Sequence, residues 1–272
     1  MRSKIFWWVL FAAAISFFAV SVSTRADVPA AQDELCWLGG VDSLHETGTA
    51  WDVYNPGEKI VYSPHLYLRL LELSYAIFGP SLSSARWPGL FAGLISLALV
   101  CAITMRVVEG DRRRRWGFGV MATLFCCSIP AFVQGCAIID IDNTILGPLL
   151  LAMVWTGQRL TERSTWSRAL ALAGVTALVL WARFTTPLIL FPILALFAGF
   201  ASDRRARWSL PLALIAGVGI FLATWGAYCV ATATPFWGPF AYTWAAFADR
   251  AGGGTGRLGV ERLAANGSHL AL

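Results

Sequence analysis

Two pairs of carboxylates and two arginines are the side chains of this sequence best suited to chemistry. Asp33 and Glu34 are adjacent, and Asp140 and Asp142 flank a single isoleucine. A carboxylate can take the proton from a hydroxyl that is a poor nucleophile at neutral pH. Arg86 and Arg183 carry guanidiniums, which hold phosphate oxygens through paired hydrogen bonds as negative charge gathers there. His65, beside Pro64, and Tyr67 add a ring nitrogen and a phenol that could touch a substrate. Each group also has a plainer role. Asp33 and Glu34 suit the first turn of a helix, where acids are favoured. Arg86 and Arg183 could anchor the ends of spans by snorkelling. His65 could merely start a surface helix, and Asp140 could be a solvated span end. On an extended segment Asp140 and Asp142 would point the same way, which allows a divalent-cation site, although no histidine lies near them.

The elements that must position these groups are membrane spans. The chain has 272 residues, 57% hydrophobic and only 14% charged, with a mean hydropathy of +0.62. A soluble chain would carry about a quarter of its residues as charges. The apolar residues are clustered into runs at 5–23, 89–108, 117–137, 143–157, 169–182, 187–201 and 209–231, several reaching the roughly 20 residues needed to cross a bilayer. The fold class expected is therefore all-α, a polytopic transmembrane helical bundle of about seven spans. With the N-terminus in the cytoplasm, the inner segments hold Arg2, Lys4, Arg106, the arginines of 112–115, Arg159, Arg163, Arg168, Arg204, Arg205 and Arg207. They hold only Glu109, Asp111, Glu162 and Asp203 of the 16 acids. Arg-rich short loops mark the cytoplasmic face. The pI of 9.1 thus reflects topology and not a nucleic-acid partner. Asp33, Glu34, Arg86, Asp140, Asp142 and Arg183 all fall on the opposite, outer side.

The first apolar run is longer than the core of a signal peptide and reads as an uncleaved anchor. Of the six cysteines, Cys36 alone falls in a long outer loop, and all read as packing residues. That loop, 24–88, carries two interfacial helices. One opens at Asp33-Glu34 with Leu35, Leu38, Val41 and Leu44 on one face and its acids turned to water; the other runs over 65–78, ending at Gly79-Pro80. The chain divides into a transmembrane module, 1–231, and an outer tail, 232–272, which becomes glycine-rich.

Four stretches together resemble a known family. The Asp33-Glu-Leu-Cys-Trp-Leu-Gly-Gly opening resembles the Asp-Glu start of the first outer loop of GT-C glycosyltransferases. The segment Ser63-Pro-His-Leu-Tyr-Leu-Arg-Leu-Leu-Glu-Leu-Ser-Tyr-Ala-Ile-Phe-Gly79, continuing to Arg86-Trp-Pro-Gly, is similar to that family's surface helix, Phe-Gly break and Arg-led second span. Ile141-Asp-Asn-Thr-Ile145 and Arg183-Phe-Thr-Thr-Pro187 match in order and on the same face. The resemblance covers about 1–200 and is to the aminoarabinose-to-lipid A transferases and protein O-mannosyltransferases (glycosyltransferase family 39-like), in their N-terminal half. This chain departs by placing Ser63, not a basic residue, before Pro64.

The resemblance implies transfer of a sugar from a polyprenyl-phosphate carrier to a lipid, glycan or protein hydroxyl outside the cytoplasm, in a bacterial inner (plasma) membrane. It assigns catalysis to Asp33 as base with Glu34 and Asp142, substrate contacts to Arg86, Arg183, His65 and Tyr67, and an optional divalent cation to Asp140 and Asp142. The chain could instead be a carrier-lipid-binding subunit or a half-enzyme that needs a partner subunit. A transporter would place ionisable groups near the midplane, whereas these spans keep their charges at the ends.

Overall fold

The computed structural model describes residues 2–26, 28–30, 33–52, 60, 64–185, 191 and 204–241. Nine α-helices run in chain order through these residues: α1 (Arg2–Ser23), α2 (Asp33–Thr47), α3 (Leu66–Phe78), α4 (Leu82–Val107), α5 (Arg112–Ser128), α6 (Pro130–Ala137), α7 (Gly147–Glu162), α8 (Trp166–Ala182) and α9 (Arg204–Thr232). A π-helical turn, Asp142–Leu146, leads into α7. The expected all-α membrane bundle is what forms. Among the described residues, Ile5–Ser23, Leu82–Val107 and Arg207–Thr232 are long and apolar enough to cross a bilayer alone. The expected span at 187–201 lies outside the described residues apart from 191.

Two expected spans take a different form. The run 117–137 is not one rod: α5 and α6 meet at a 70° bend. Pro130 is the cause. It lacks an N–H to continue α5 and forces Ile129 before it out of helical geometry, into an extended conformation. The run 143–157 begins with the π turn, and α7 continues to Glu162, beyond the expected end.

The lead-in to the second span is helical as well. Ser81 caps α4 by accepting the amide of Ser84 at 3.1 Å. Pro88 then sits inside α4 and cannot donate to the carbonyl four residues back. That carbonyl, Ser84 O, accepts instead from Ser74 Oγ of α3. A helix defect is thereby used to fasten the surface helix to the span. Gly79, at φ 80°, makes the turn between them.

The interfacial pair α2 and α3 packs together through Trp37, Val41, Leu44, Tyr67, Leu68, Leu71 and Tyr75. Leu35 is 49% exposed, against the expectation of one face for all four apolar residues. The reason is geometric: steps of three residues lag the helix by about 60° each, so Leu35 and Leu44 end half a turn apart. Nor do all the acids of α2 face water, since Glu34 is buried and Asp42 accepts from Tyr75 Oη at 3.0 Å.

The bundle has two chemically different ends. At one, Arg106 closing α4 pairs with Glu162 closing α7, Arg168 donates to the carbonyls of Arg159 and Arg163, and Asp111 caps the arginine-rich start of α5. These are the segments assigned to the cytoplasm by charge. At the other end lie the starts of α2, α3 and α4 and the 138–142 segment. All six cysteines are free thiols, five of them buried, as expected of packing residues.

Candidate active site

Glu34 lies in the first turn of α2 and Arg86 in the second turn of α4, and both are buried, at 6% and 4% exposure. A buried charge is tolerable only if it is paired and fully hydrogen-bonded. Here it is. Arg86 Nε and Nη2 donate to Glu34 Oε1 at 3.2 and 3.0 Å, and Nη2 also reaches Oε2 at 3.0 Å. The remaining nitrogen, Nη1, donates to the carbonyls of Arg25, Ala26 and Val28, in the turn that follows α1. Glu34 Oε1 accepts a further bond from the Ile139 amide at 2.8 Å. One ion pair thus joins the end of α1, the start of α2, the start of α4 and the segment that carries Asp140.

Close packing brings that last segment in. A Cβ at Gly89 of α4 would lie 2.3 Å from the carbonyl oxygen of Cys136, so only glycine lets α4 touch the end of α6. Asp140 follows, half-buried, its carbonyl accepting from the Thr144 amide at 2.9 Å. Tyr67 of α3 completes the group. Its ring stands edge-on to Trp37 at 5.0 Å, and its fully buried hydroxyl lies beside Thr144 and Asp140. Burial holds the phenol strongly protonated, and the Asp140 and Glu34 charges add to that.

Four of the expected site residues, Glu34, Arg86, Tyr67 and Asp140, are therefore together at one end. Asp33 begins α2 and Asp142 begins the π turn, so both backbones border the group; their side chains lie outside the described residues. His65 belongs to a second group. Its Nδ1 meets Tyr228 Oη at 2.8 Å and its Nε2 meets the Ile60 carbonyl at 2.9 Å, which makes Nε2 the N–H and Nδ1 the acceptor from the tyrosine. Arg69 lies over the Tyr228 ring, 6.0 Å from its centroid, and pairs with Glu72 at 2.7 Å. Burial opposes the Arg69 charge, but the bonds to Glu72 and Tyr228 outweigh it and raise the affinity for the proton. Ala50, His65, Arg69, Tyr228, Thr232 and Thr234 line a small hollow open to solvent. Arg183 caps α8, its amide donating to Val179 O at 2.8 Å.

Arg69, Thr144 and Tyr228 were not among the residues singled out by type and spacing. Arg69 carried a signal, since it lies four residues after His65 and so on the same side of α3. Tyr228 gave none, being one aromatic in an apolar span. As for a cation, no three His, Cys, Asp or Glu side chains converge among the described residues. Of the Asp140–Asp142 pair expected to allow a cation, only Asp140 has a described side chain.

Comparison with known proteins gives the fold and the family. The fold matches the crystal structure of ArnT from Cupriavidus metallidurans bound to undecaprenyl phosphate, with a TM-score of 0.58 over 88% of this chain. At 14% identity that likeness is one of fold, and the chain spans 44% of the length of that protein. No curated protein matches the sequence significantly. Residues 63–228, which include the surface helix, Arg86, the Asp140 segment and Tyr228, match the model of one family. The chain belongs to that family, the dolichyl-phosphate-mannose-protein mannosyltransferase family, and is an integral membrane protein of the GT-C glycosyltransferase class.

Proposed function

We propose that this protein transfers a sugar from a polyprenyl-phosphate carrier to an acceptor hydroxyl, at the end of the bundle where Glu34, Arg86, Tyr67 and Asp140 meet. The observation that carries the reading is the bidentate Glu34–Arg86 pair with Ile139 bound to the same carboxylate. It draws the Asp-Glu start of α2 and the Asp140–Asp142 segment to one place, as a two-carboxylate reaction centre requires. In this reading Asp33, carried next to Glu34 by the backbone, is the general base that takes the acceptor proton. Asp140 and Asp142 orient the acceptor. Arg86 and Glu34 hold the frame, because every nitrogen of Arg86 already donates to the protein.

The carrier phosphate then falls to the neighbouring hollow, where Arg69 offers charge over the Tyr228 ring and the bonded His65–Tyr228 pair forms the wall. Arg183 is a further candidate for the same phosphate. The Arg-rich end faces the cytoplasm and the reaction end faces outward from a bacterial inner membrane, by the charge rule. The acceptor is a lipid, glycan or protein hydroxyl.

The test is transfer from a panel of radiolabelled polyprenyl-phosphate sugars to membrane extracts by wild type and Asp33→Asn. Product from wild type, with a fall of about 10²–10⁴-fold in the variant, is expected of a lost general base. Full transfer by a folded Asp33→Asn protein would remove Asp33 from that role. Saturable donor binding without product from either protein would favour a carrier-binding subunit that acts with a partner.

A further inference from the structure

Tyr67 presents a problem that the resting arrangement leaves open. The residue is fully buried, and its hydroxyl makes no hydrogen bond among the described residues. Buried polar atoms are nearly always paired, and an orphan marks either strain or a bond made in another state. The hydroxyl faces Thr144 and the Asp140 backbone, which lie beside it but outside bonding geometry. Thr144 is itself poorly served, its Oγ1 reaching the Ile138 carbonyl only at 3.5 Å. Both atoms border a π-helical turn, Asp142–Leu146, a wide register that is rare in proteins and frequent at functional sites. The turn's approach is pinned where the Ile139 amide meets Glu34, and its exit continues into α7. Between two fixed ends, a small change of register moves the Asp140–Thr144 backbone relative to Tyr67.

We infer that Tyr67 is a positioning residue whose hydroxyl closes onto the Asp140–Thr144 segment when the carrier occupies the protein, holding the Asp140 carboxylate for the acceptor. The inference rests on the glycosyl-transfer reading for its purpose but not for its geometry. A phenol suits the task. It stays protonated between two carboxylates, so it remains a donor throughout, and its ring is held by Trp37 so that only the segment need move.

The test is Tyr67→Phe, which deletes the hydroxyl and keeps the ring. Three readouts are taken on the whole protein in detergent. Without ligand, the variant is expected to melt at or above the wild-type temperature, since an unbonded hydroxyl is removed; a drop of several degrees would mean that the bond already exists and would overturn the inference. With undecaprenyl phosphate added, the amides of 139–146 are expected to gain protection from hydrogen exchange in wild type and not in Tyr67→Phe. Equal gain in both proteins, or gain in neither, would overturn it whether or not transfer is observed. In the transfer assay, kcat is expected to fall at least tenfold at an unchanged KM for the donor; a kcat within twofold of wild type would overturn it. Absence of transfer by wild type counts against the proposed function alone, and the melting and exchange results then decide the inference.

Discussion

Glu34 and Arg86 are each buried, so removing one leaves the other charged, desolvated and alone. Arg86→Ala should therefore destabilise the protein by about 3–5 kcal/mol, and Glu34→Gln should lie in the same direction. The double variant should cost clearly less than the two single changes added together. Thermal melting of the three variants in detergent checks this; additive losses would mean that the pair does not act as a unit. Tyr228→Phe tests the second group. The ring stays in the aromatic cluster with Trp181 and Trp225, while His65 Nδ1 loses its donor. About 0.5–1.5 kcal/mol of stability should go with that bond. If the hollow takes the carrier phosphate, binding of undecaprenyl phosphate should weaken too, measured by titration; unchanged binding would move the phosphate elsewhere.

At the scale of elements, α4 meets the end of α6 at Gly89 with no room for a side chain. Gly89→Ala places a methyl against backbone, not against a side chain that can turn away. A loss of about 1–3 kcal/mol is expected, with lower transfer activity because the Asp140 segment is displaced. A protein as stable and as active as wild type would contradict the close approach. Much of this level was legible beforehand. Hydropathy located α1, α4 and α9, and Gly79-Pro80 located the end of α3. What could not be read was non-local. Glu34 and Arg86 stand 52 residues apart, and the four apolar residues of α2 invited a single face that a helix of 3.6 residues per turn cannot supply. Pro130 was visible, yet an apolar run hides a bend, since hydropathy measures composition and not direction. Arg86 and Glu34 were singled out from their order along the chain, but that they bind each other depended on how α2 and α4 cross.

The whole molecule separates an arginine-rich end from a carboxylate-rich end, and the charge rule gives the direction. A cysteine placed at Pro80 should react with a membrane-impermeant maleimide on intact cells, and one placed at Glu109 should react only after the membrane is opened. Cys126, the half-buried native thiol, is best replaced by serine in both. Reversed labelling would put the carboxylate-rich end in the cytoplasm.

The bond from Ile139 to Glu34 also sets a timetable for biogenesis. The two residues are 105 positions apart, so at ribosomal speeds of about 5–20 residues per second the first loop waits roughly 5–20 s for its partner. During that interval the glutamate must stay hydrated, or meet Arg86 first and form an incomplete clasp. The carboxylate-rich end is consequently among the last parts of the 2–146 region to close, and the spans must insert before the Glu34 clasp is complete. Variants that slow the emergence or bending of α5 and α6 should then accumulate as inserted but unclosed chains, open to protease at the first loop while their spans remain protected.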